Sequence, residues 1–284
     1  MRVLVTGAGG QLGCELVAAF GAAGHDVIPA SHADLDVADR DQVLGAVTAL
    51  HPAAVVHAAA WTDVDGCQLD PDRALRVNAL GTRHVADGAR RAGAHLCYLS
   101  TDYVFAGTKE DPYDEWDAPG PLSTYGRSKL GGEDEARALC PDATIVRTSW
   151  LFGPRGKNIV KTVLGLAASG HRLRFVDDQR GCPTAAPDLA ELVRHLVTAR
   201  LPGVFHATNQ GATTWFGLAR AVLIAAGLDP ERVIPIATSA MDPPRPAPRP
   251  ANSVLDNAAL RLAGIHLLPD WRDPVERLVK DLKS

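Results

Sequence analysis

The sequence predicts an α/β fold with a doubly wound parallel sheet, and three of its features support this prediction. Short apolar segments alternate with helical segments at a spacing typical of parallel strands joined by helices. A glycine-rich turn separates the first apolar segment from the first helix. Beyond about Trp150 the alternation loosens while proline and glycine become frequent, which predicts a smaller C-terminal lobe.

The predicted strands and helices follow one another in regular order. Five apolar segments are predicted strands, at residues 3–6, 27–30, 54–58, 96–100 and 144–148. The helical pattern after the glycine-rich turn continues to Phe20, and further helical segments cover residues 42–50 and 72–92. Residues 1–150 are therefore predicted to form a Rossmann-type nucleotide-binding domain. Residues 151–284 are predicted to form mainly a substrate-binding lobe, from which some segments return to the sheet.

The order of strand, glycine-rich turn and helix is typical of a dinucleotide-binding site. Gly7 permits a tight turn, Gly10 lets the main chain approach a pyrophosphate, and Gly13 allows close helix packing. Gln11 and Leu12 begin the helix, whose N-terminal amides and positive dipole favour an anion. An ordinary surface turn is the alternative, and the strands and helices that follow make it the weaker interpretation.

Composition and charge exclude several classes of protein. The chain has 284 residues, 46% of them hydrophobic, and a net charge of -4 without a cluster of Lys and Arg, so we expect no nucleic-acid partner. Apolar runs are far shorter than the roughly 20 residues of a membrane span, and a core strand follows Arg2 where a signal peptide would be apolar and cleavable. We therefore expect a cytoplasmic protein with no membrane partner. Five widely spaced cysteines argue against a disulfide framework and a zinc site.

A hydroxyl, a phenol and an amine are the candidate catalytic groups. Tyr125 and Lys129 are four residues apart, so on a helix they share one face. The ammonium of Lys129 is expected to lower the pKa of the Tyr125 phenol, which would make the phenol a usable acid near neutral pH. Thr101 follows the fourth predicted strand and supplies the hydroxyl. The Tyr-x-x-x-Lys pattern alone is weak, and the nucleotide-binding context strengthens it.

With these motifs on one chain, the sequence resembles the extended short-chain dehydrogenase/reductases, and within them the dTDP-4-dehydrorhamnose reductase family. The resemblance covers essentially the whole chain. Besides the glycine-rich turn, it rests on residues 58–65, 78–81, 100–105, 147–150, 177–184 and 249–253. Related dehydratases carry Glu where this chain has Tyr103, and elimination of water needs that additional acid, so a dehydratase is disfavoured.

The resemblance implies a reaction and a role for each residue of the candidate site. Hydride from a nicotinamide cofactor would reduce the C4 ketone of a dTDP-linked 6-deoxyhexose while Tyr125 protonates the carbonyl oxygen. Thr101 would polarise the same oxygen, and Lys129 would hold the nicotinamide ribose. Asp102 and Trp150 would bind the sugar. The alternatives are that Thr101 and Asp102 only cap a turn and that Trp150 belongs to the core.

The resemblance also assigns residues to the cofactor. Ala58, Ala59, Ala60 and Thr62 follow the third strand, where small side chains let the cofactor approach the main chain. Asp36 and Val37 would flank the adenine ring, although a turn or helix-capping role competes for Asp36. The second strand ends at Ala30 and Ser31 without a carboxylate for the ribose 2'-hydroxyl, so NADPH is expected and NADH is expected to be accepted too.

The resemblance also bears on metal binding and on assembly. Some members form a magnesium-linked dimer through an acidic residue after the glycine-rich turn, and Glu15 occupies such a place. The dipole of the first helix explains a single carboxylate there more simply, so we expect no metal, while a homodimer is left open.

The proline-rich residues 242–250 are predicted to form an extended substrate loop within the C-terminal lobe. Arg249 would grip the diphosphate of the dTDP group, and Asn158 would approach the same ligand. A solvated linker is the alternative.

Two functions of different classes stay open from the sequence. The first is catalysis of the reduction just described, either on dTDP-4-dehydrorhamnose or on another dTDP-4-keto-deoxysugar. The second is a non-catalytic regulatory subunit of the same fold, against which the intact set of Thr101, Tyr125 and Lys129 argues.

Overall fold

The computed structural model describes residues 1–283. The strands are β1 (Arg2–Thr6), β2 (Asp26–Ala30), β3 (Ala54–His57), β4 (His95–Thr101), β5 (Thr144–Thr148), β6 (Leu151–Phe152), β7 (Leu173–Val176), β8 (Arg180–Gly181), β9 (Thr184–Ala185), β10 (Gly203–His206), β11 (Thr213–Thr214) and β12 (Val233–Ile236). The α-helices are α1 (Gln11–Ala22), α2 (Arg40–Leu50), α3 (Val64–Leu69), α4 (Pro71–Leu75), α5 (Gly81–Ala92), α6 (Thr124–Leu139), α7 (Ile159–Ala167), α8 (Ala186–Thr198), α9 (Trp215–Ala225), α10 (Ala258–Leu262) and α11 (Arg272–Asp281).

A six-stranded parallel sheet forms the centre of the molecule. Its strands lie in the order β10, β5, β4, β3, β1, β2, and every neighbouring pair is parallel. The chain leaves β1 in one direction to β2 and returns on the other side to β3, so the order reverses between β1 and β3. In open parallel sheets ligands bind beyond the carboxyl ends of the strands at such a reversal. The predicted doubly wound fold is confirmed.

Buried aliphatic residues explain why these segments form central strands. Val55 and Val56 of β3 point to opposite faces and neither side chain is exposed, as expected for a strand covered on both sides. Helices α1 and α8 cover one face, and α2, α5 and α6 cover the other, each over a separate apolar cluster. Both faces of the sheet are therefore shielded from water, which is the condition for a stable parallel sheet.

A smaller cluster of apolar residues lies beside the sheet in the C-terminal part of the chain. Helices α7, α9 and α11 pack together there around the fully buried Trp271. Three short strand pairs, β6 with β9, β7 with β12 and β8 with β11, join these helices. The chain does not stay in this region, because β10 pairs with β5 in the central sheet and α8 packs against α1.

The structure corrects the sequence prediction in one element. The helix predicted at residues 72–92 is divided by a π-helical turn, Arg76–Leu80, with Asn78 buried at its centre. Such turns occur frequently at functional sites and have no periodicity that a sequence pattern detects. Elsewhere the predicted strands differ from the observed ones by at most one residue at either end. Within residues 1–283, none of the helices has the length and apolar character of a membrane-spanning segment.

Candidate active site

A cavity of about 400 Å³ lies beyond the carboxyl ends of β1, β3, β4 and β5. Most of the candidate site residues line it, although they are far apart in the sequence. The lining residues are Gly7, Gly10, Gln11, Leu12, Gly13, Ala58, Ala60, Thr62, Leu99, Ser100, Thr101, Asp102, Tyr125, Lys129, Thr148, Ser149, Trp150, Leu151 and Lys157. The sheet brings these residues together because the carboxyl ends of its parallel strands share one edge.

The glycine-rich turn has the geometry that a dinucleotide requires. Gly7 has a φ of +70°, and a Cβ atom there would lie 2.6 Å from the main-chain nitrogen of Ala59. A Cβ atom at Gly13 would lie 2.1 Å from the carbonyl oxygen of Gly7. Neither position tolerates a side chain, so the main chain of the turn packs directly against the end of β3 and the start of α1.

The first turn of α1 is free to bind an anion. Its N-cap residue is Gly10, which has no side chain to accept from the amides of that turn, whereas Ser123 caps α6 and Asp39 caps α2. The Gln11 side-chain oxygen is buried with no hydrogen-bond partner among the described residues. Free amides at a helix N-terminus fit a diphosphate, so the residues present fit a nicotinamide dinucleotide.

Helix α6 carries the Tyr125 and Lys129 side chains into the cavity. Both are buried, and the Lys129 ammonium donates to the carbonyl oxygen of Leu99 at 2.6 Å and lies 4.1 Å from the centre of the Tyr98 ring. Burial lowers the pKa of Lys129 to about 7, although the charge of Glu133 acts in the opposite direction. The amine is therefore close to its titration midpoint at neutral pH.

The electrostatics of Tyr125 differ from the sequence-based expectation. Burial raises the pKa of the Tyr125 phenol above its ordinary value, while the nearby Thr101 hydroxyl lowers it in part. The ammonium of Lys129 donates to the carbonyl oxygen of Leu99. A net lowering of the Tyr125 pKa is therefore not found in this arrangement of side chains, because burial dominates. The phenol therefore keeps its proton at neutral pH.

A buried ion pair fixes the position of α6. Glu133 lies one turn beyond Lys129, and its carboxylate accepts two hydrogen bonds from Arg147 of β5, at 2.8 and 2.7 Å. Ser100 of β4 donates to the same carboxylate at 2.6 Å. Glu133 and Arg147 are both almost completely buried, so these bonds are shielded from solvent. They hold the face of α6 that carries Tyr125 against the two strands that end at the cavity.

Asn78 joins the same helix to the segment after β3. Its side-chain nitrogen donates to the Ser128 hydroxyl at 2.9 Å and to the Trp61 carbonyl at 3.0 Å, and its oxygen accepts from the Trp61 amide at 2.8 Å. Ser128 precedes Lys129 in the sequence. The π-helical turn therefore places Asn78 where it fixes the register of the catalytic helix.

The hydroxyl and carboxyl groups at the end of β4 are adjacent. Thr101 donates from Oγ1 to Oδ1 of Asp102 at 3.0 Å, and Oδ2 of Asp102 is buried with no hydrogen-bond partner among the described residues. Burial raises the pKa of Asp102 to about 7, and the nearby Ser253 and Thr101 hydroxyls offset only part of this effect. Thr101 also accepts from the amide of Tyr103 at 3.2 Å, so it caps a turn and lines the cavity at the same time.

Trp150 forms a flat wall of the cavity. Its backbone has a φ of 47°, which is uncommon for a residue other than glycine. Its ring stacks on that of Trp215 with centroids 3.6 Å apart, and a Cβ atom at Gly181 would lie 2.4 Å from the ring. The ring is held from both sides, so it is a rigid surface beside the cavity, and its contact with a sugar stays a prediction.

Three residues predicted for the cofactor lie outside the cavity lining. The Asp36 carboxylate accepts from the amide of Ala38 at 3.0 Å, which is the turn role that competed with adenine binding. Val37 is buried against α5, where a Cβ atom at Gly81 would lie 3.0 Å from its side chain. Ala59 lies directly behind Gly7 and shapes the turn through its main chain. Cofactor contacts by these residues stay predictions.

The two residues predicted for the substrate diphosphate are engaged within the protein. Asn158 caps α7 by accepting from the Lys161 amide at 3.2 Å and donates to the Gly153 carbonyl at 2.8 Å. The guanidinium of Arg249 makes two hydrogen bonds to the carboxylate of Asp65 on α3, at 2.6 and 2.7 Å. The proline-rich segment is consequently packed against α3, which a freely solvated linker would not be.

The sequence interpretation missed several lining residues. The Thr148 hydroxyl at the end of β5 lines the cavity and has no hydrogen-bond partner among the described residues. Lys157 places a cation at the rim, close to the start of α1, because Gly156 lies against Gln11. Thr148 follows an apolar strand at the edge where ligands bind, so the strand pattern alone could have identified it. Nothing in the local sequence marks Lys157.

The reversal point of the sheet, the glycine-rich turn and the Tyr125–Lys129 pair meet in one cavity. This combination defines an NAD(P)-binding oxidoreductase of the short-chain dehydrogenase/reductase class.

Comparison with known proteins identifies the family to which the chain belongs within this class. The model of the family described as RmlD substrate binding domain matches residues 1–284, and the chain belongs to this family. A dTDP-4-dehydrorhamnose reductase of Mycobacterium tuberculosis is 41% identical over 277 residues, which cover 95% of this chain and 90% of the relative. A probable dTDP-4,6-dihydroxy-2-methyloxan-3-one 4-ketoreductase of Streptomyces antibioticus is 41% identical over 286 residues, covering 99% and 96%. The crystal structure of dTDP-4-dehydrorhamnose reductase from Bacillus anthracis in complex with NADP has a TM-score of 0.94 and 36% identity, with 99% of each chain covered.

Proposed function

We propose that this protein reduces the C4 ketone of a dTDP-linked 4-keto-6-deoxyhexose with NADPH, and that the substrate is dTDP-4-dehydrorhamnose. The observation that carries the proposal is the convergence of Thr101, Tyr125 and Lys129 on the cavity that the glycine-rich turn borders. Relatives that match nearly the whole chain bear the name of this reductase, and one was solved with NADP. NADH is proposed as a second, accepted cofactor.

Different residues of the cavity would bind the cofactor, donate the proton and position the sugar in this reaction. NADPH supplies the hydride when it is bound. The amides at the start of α1 and the closely packed Gly7 and Gly13 would hold its diphosphate. Tyr125 would donate its phenolic proton to the ketone oxygen as negative charge develops there, and the Thr101 hydroxyl would hydrogen-bond the same oxygen. Lys129 would turn from Leu99 to the nicotinamide ribose. Trp150 and Asp102 would position the sugar.

A second candidate substrate has support from one comparison. The relative from Streptomyces antibioticus, equally similar in identity, is named as a ketoreductase of a different dTDP-linked ketosugar. The groups that perform the proton transfer would be the same for both sugars, and only contacts to the remaining ring positions would differ. A regulatory subunit without activity is the weaker alternative, because all three reacting side chains are present in the cavity.

Nicotinamide absorbance tests the proposal directly. Purified protein is mixed with NADPH and either dTDP-4-dehydrorhamnose or the ketosugar of the Streptomyces relative. Loss of absorbance with the first substrate at the higher kcat/KM supports the proposal. A higher kcat/KM with the second substrate favours the alternative reductase, and no turnover with either refutes the reductase function. The Tyr125→Phe protein is the matched control, since it retains the cavity and lacks the proton donor.

We propose in addition that the protein acts in the cytoplasm. All five cysteines are free thiols, and Cys67, Cys97 and Cys182 are buried, as expected for a chain that folds in a reducing compartment. A homodimer stays a prediction, which sedimentation of the purified protein would test.

A further inference from the structure

Residues 177–184 belong to the segments that carry the resemblance, yet the proposed reaction leaves them without a role. They lie beside Trp150, the residue proposed to position the sugar. A Cβ atom at Gly181 would lie 2.4 Å from the Trp150 ring, so a side chain there would displace the ring. The Ser149 hydroxyl donates to the Cys182 carbonyl at 2.6 Å and fixes the main chain just before Trp150. The segment therefore covers one side of Trp150.

The other side of the Trp150 ring is covered by Trp215, the first residue of α9. The two ring centroids are 3.6 Å apart, and the ring planes are inclined by only 7°. Both rings belong to the apolar cluster in the C-terminal part of the chain. Trp150 lines the cavity, whereas Trp215 does not. The stacked ring of Trp150 is therefore the direct route by which Trp215 can act on the cavity.

Polar contacts with the same segment fix the Trp215 ring. Its Nε1 atom donates to Oε1 of Gln179 at 3.3 Å. Gln179 is 7% exposed, and its side-chain nitrogen donates to the Thr238 hydroxyl at 2.9 Å. The Thr238 hydroxyl donates in turn to Oδ1 of Asp178 at 2.5 Å. Each donor of this series has an acceptor, which is the condition for a buried network to hold a side chain in one place.

The segment also fixes the start of α9, where Trp215 lies. Strand β8 pairs with β11, which leads directly into this helix. Thr214 caps the helix by accepting from the amide of Gly217 at 3.0 Å, and its hydroxyl donates to Asp177 at 2.6 Å. Residues 177–184 thus hold both rings of the stack.

Trp150 depends on these contacts because its own backbone gives the ring little support. Its φ of 47° is a conformation that residues other than glycine seldom adopt. Such a conformation persists only where the surrounding structure imposes it. Without the Trp215 ring, the face of Trp150 that is now stacked would lose its partner, and the side chain would be free to turn.

We propose that Trp215 is a positioning residue, which holds the Trp150 ring in the orientation that contacts the sugar of the substrate. The proposal rests on the proposed reductase function. Holding the ring before the sugar arrives removes the cost of ordering it on binding, and ordering one mobile side chain lowers affinity about three- to tenfold. Loss of Trp215 therefore weakens binding of the sugar by about this factor. Binding of the nucleotide part and of NADPH is unaffected.

Equilibrium titration of three ligands measures this effect. The ligands are dTDP-rhamnose, which is the product of the proposed reaction, dTDP, which lacks the sugar, and NADPH. In Trp215→Leu we expect the Kd for dTDP-rhamnose to rise about three- to tenfold, with the Kd values for dTDP and NADPH within about twofold of wild type. Trp215→Phe retains a stacking ring and should bind dTDP-rhamnose like the wild type. An equal rise for all three ligands, or unchanged binding of dTDP-rhamnose in Trp215→Leu, would overturn the proposal.

Two further variants control for damage to the surrounding cluster. Phe216, the next residue of α9, belongs to the same cluster and has the Arg220 guanidinium over its ring. Phe216→Leu removes an aromatic ring outside the stack and should leave the Kd for dTDP-rhamnose at the wild-type value. Gln179→Met removes the acceptor of the Trp215 Nε1 atom and should raise that Kd, so it tests the proposal even if Trp215→Leu does not fold. Equal weakening in Phe216→Leu, or no change in Gln179→Met, contradicts the positioning role.

A double-mutant cycle shows whether Trp215 acts through Trp150. Trp150→Leu removes the proposed sugar contact, so adding Trp215→Leu should have no further effect on the Kd for dTDP-rhamnose. A further rise of the size seen in the wild-type background would refute the proposal. Wild-type protein that binds dTDP-rhamnose and reduces the ketosugar, while every variant binds normally, refutes the positioning role alone. Wild-type protein that does neither refutes the reductase function and this proposal with it.

Discussion

At the scale of single residues, burial decides the chemistry of Tyr125. Its phenol is 9% exposed and its pKa is raised, so in the proposed reaction it would give up its proton only to a strongly basic oxygen. An alkoxide forming on a reduced ketone is such an oxygen. The hydrogen-bond position of the phenol therefore matters more for catalysis than a lowered pKa.

Replacement of Tyr125 tests this role. We predict that Tyr125→Phe lowers kcat by about 10²-fold or more, since a positioned acid contributes that much, and leaves the Kd for NADPH within about threefold. Stopped-flow absorbance gives kcat, and fluorescence titration gives Kd. A loss of less than about tenfold in kcat would show that another group protonates the ketone.

Lys129 is predicted to serve the cofactor. In Lys129→Met the ammonium is lost while most of the apolar stem is kept, so we expect kcat to fall and the Kd for NADPH to rise together. Because burial lowers the pKa of Lys129 to about 7, the affinity of the wild-type protein for NADPH should weaken as pH rises through 7 to 8. Titration of NADPH binding across this range measures the effect. An equal pH dependence in wild type and Lys129→Met would remove the ribose-binding role.

At the scale of elements, the sequence predicted what repeats along the chain and missed what depends on distant partners. The strands were predictable because valine-rich segments are buried on both faces, and the glycine-rich turn because Gly7 and Gly13 leave no room for a side chain. The π-helical turn around Asn78 was not predictable. Asn78 of this turn bonds to Ser128, 50 residues later, and no local pattern records such a contact.

The same limit applies to the candidate site. Thr101, Tyr125 and Lys129 follow from motif and spacing, whereas the partners of Arg249 and Asn158 depend on tertiary contacts. Arg249 meets Asp65 across 184 residues of sequence. The Arg249 guanidinium is already paired with this carboxylate. To bind a diphosphate, Arg249 would have to exchange the Asp65 carboxylate for the phosphate oxygens.

The ion pair between Arg249 and Asp65 allows a discriminating test of the proline-rich segment. We predict that Arg249→Ala raises the KM for the sugar nucleotide at least about tenfold and scarcely changes that for NADPH, because a guanidinium gives two parallel donors to a phosphate. Asp65→Asn releases the guanidinium and should preserve or lower the KM. If both variants raise the KM equally, Arg249 only anchors the segment to α3 and another cation binds the diphosphate.

The end of β2 makes a prediction about the cofactor. Ser31 lies 3.6 Å from the position of a Cβ atom at Gly9, and the Asp34 carboxylate accepts from the Ser31 hydroxyl at 2.6 Å. With that carboxylate held by Ser31, we predict that kcat/KM for NADPH is at least equal to that for NADH. Initial rates with both cofactors measure the ratio. A strong preference for NADH that disappears in Asp34→Asn would contradict the prediction and identify Asp34 as the partner of the ribose 2'-hydroxyl.

At the scale of the whole molecule, two buried histidines of the central sheet, His57 and His206, are unfavourable to protonate in the folded protein. His57 of β3 is 0% exposed, with its two ring nitrogens 2.7 Å from Thr6 Oγ1 and 3.2 Å from Thr82 Oγ1. His206 of β10 is 0% exposed beside Arg147. Burial lowers the pKa of each histidine to about 3. Both stay neutral in the folded protein while the unfolded chain binds a proton at each site below pH 6.5.

These pKa shifts predict how the free energy of unfolding depends on pH. Between about pH 4.5 and 6 the two histidines bind protons only in the unfolded chain, which favours unfolding as pH falls. Asp102 opposes them, because its pKa of about 7 means that the folded protein binds a proton that the unfolded carboxylate does not. These three groups together make the unfolded chain bind one more proton than the folded protein, which contributes a fall of about 1.4 kcal/mol in the free energy of unfolding for each unit of decreasing pH. In Asp102→Asn this contribution becomes two protons, so the slope should be steeper than that of the wild type by about 1.4 kcal/mol per unit. Urea unfolding at several pH values measures both slopes. An equal slope in the two proteins would show that Asp102 is ionised in the folded state throughout this range.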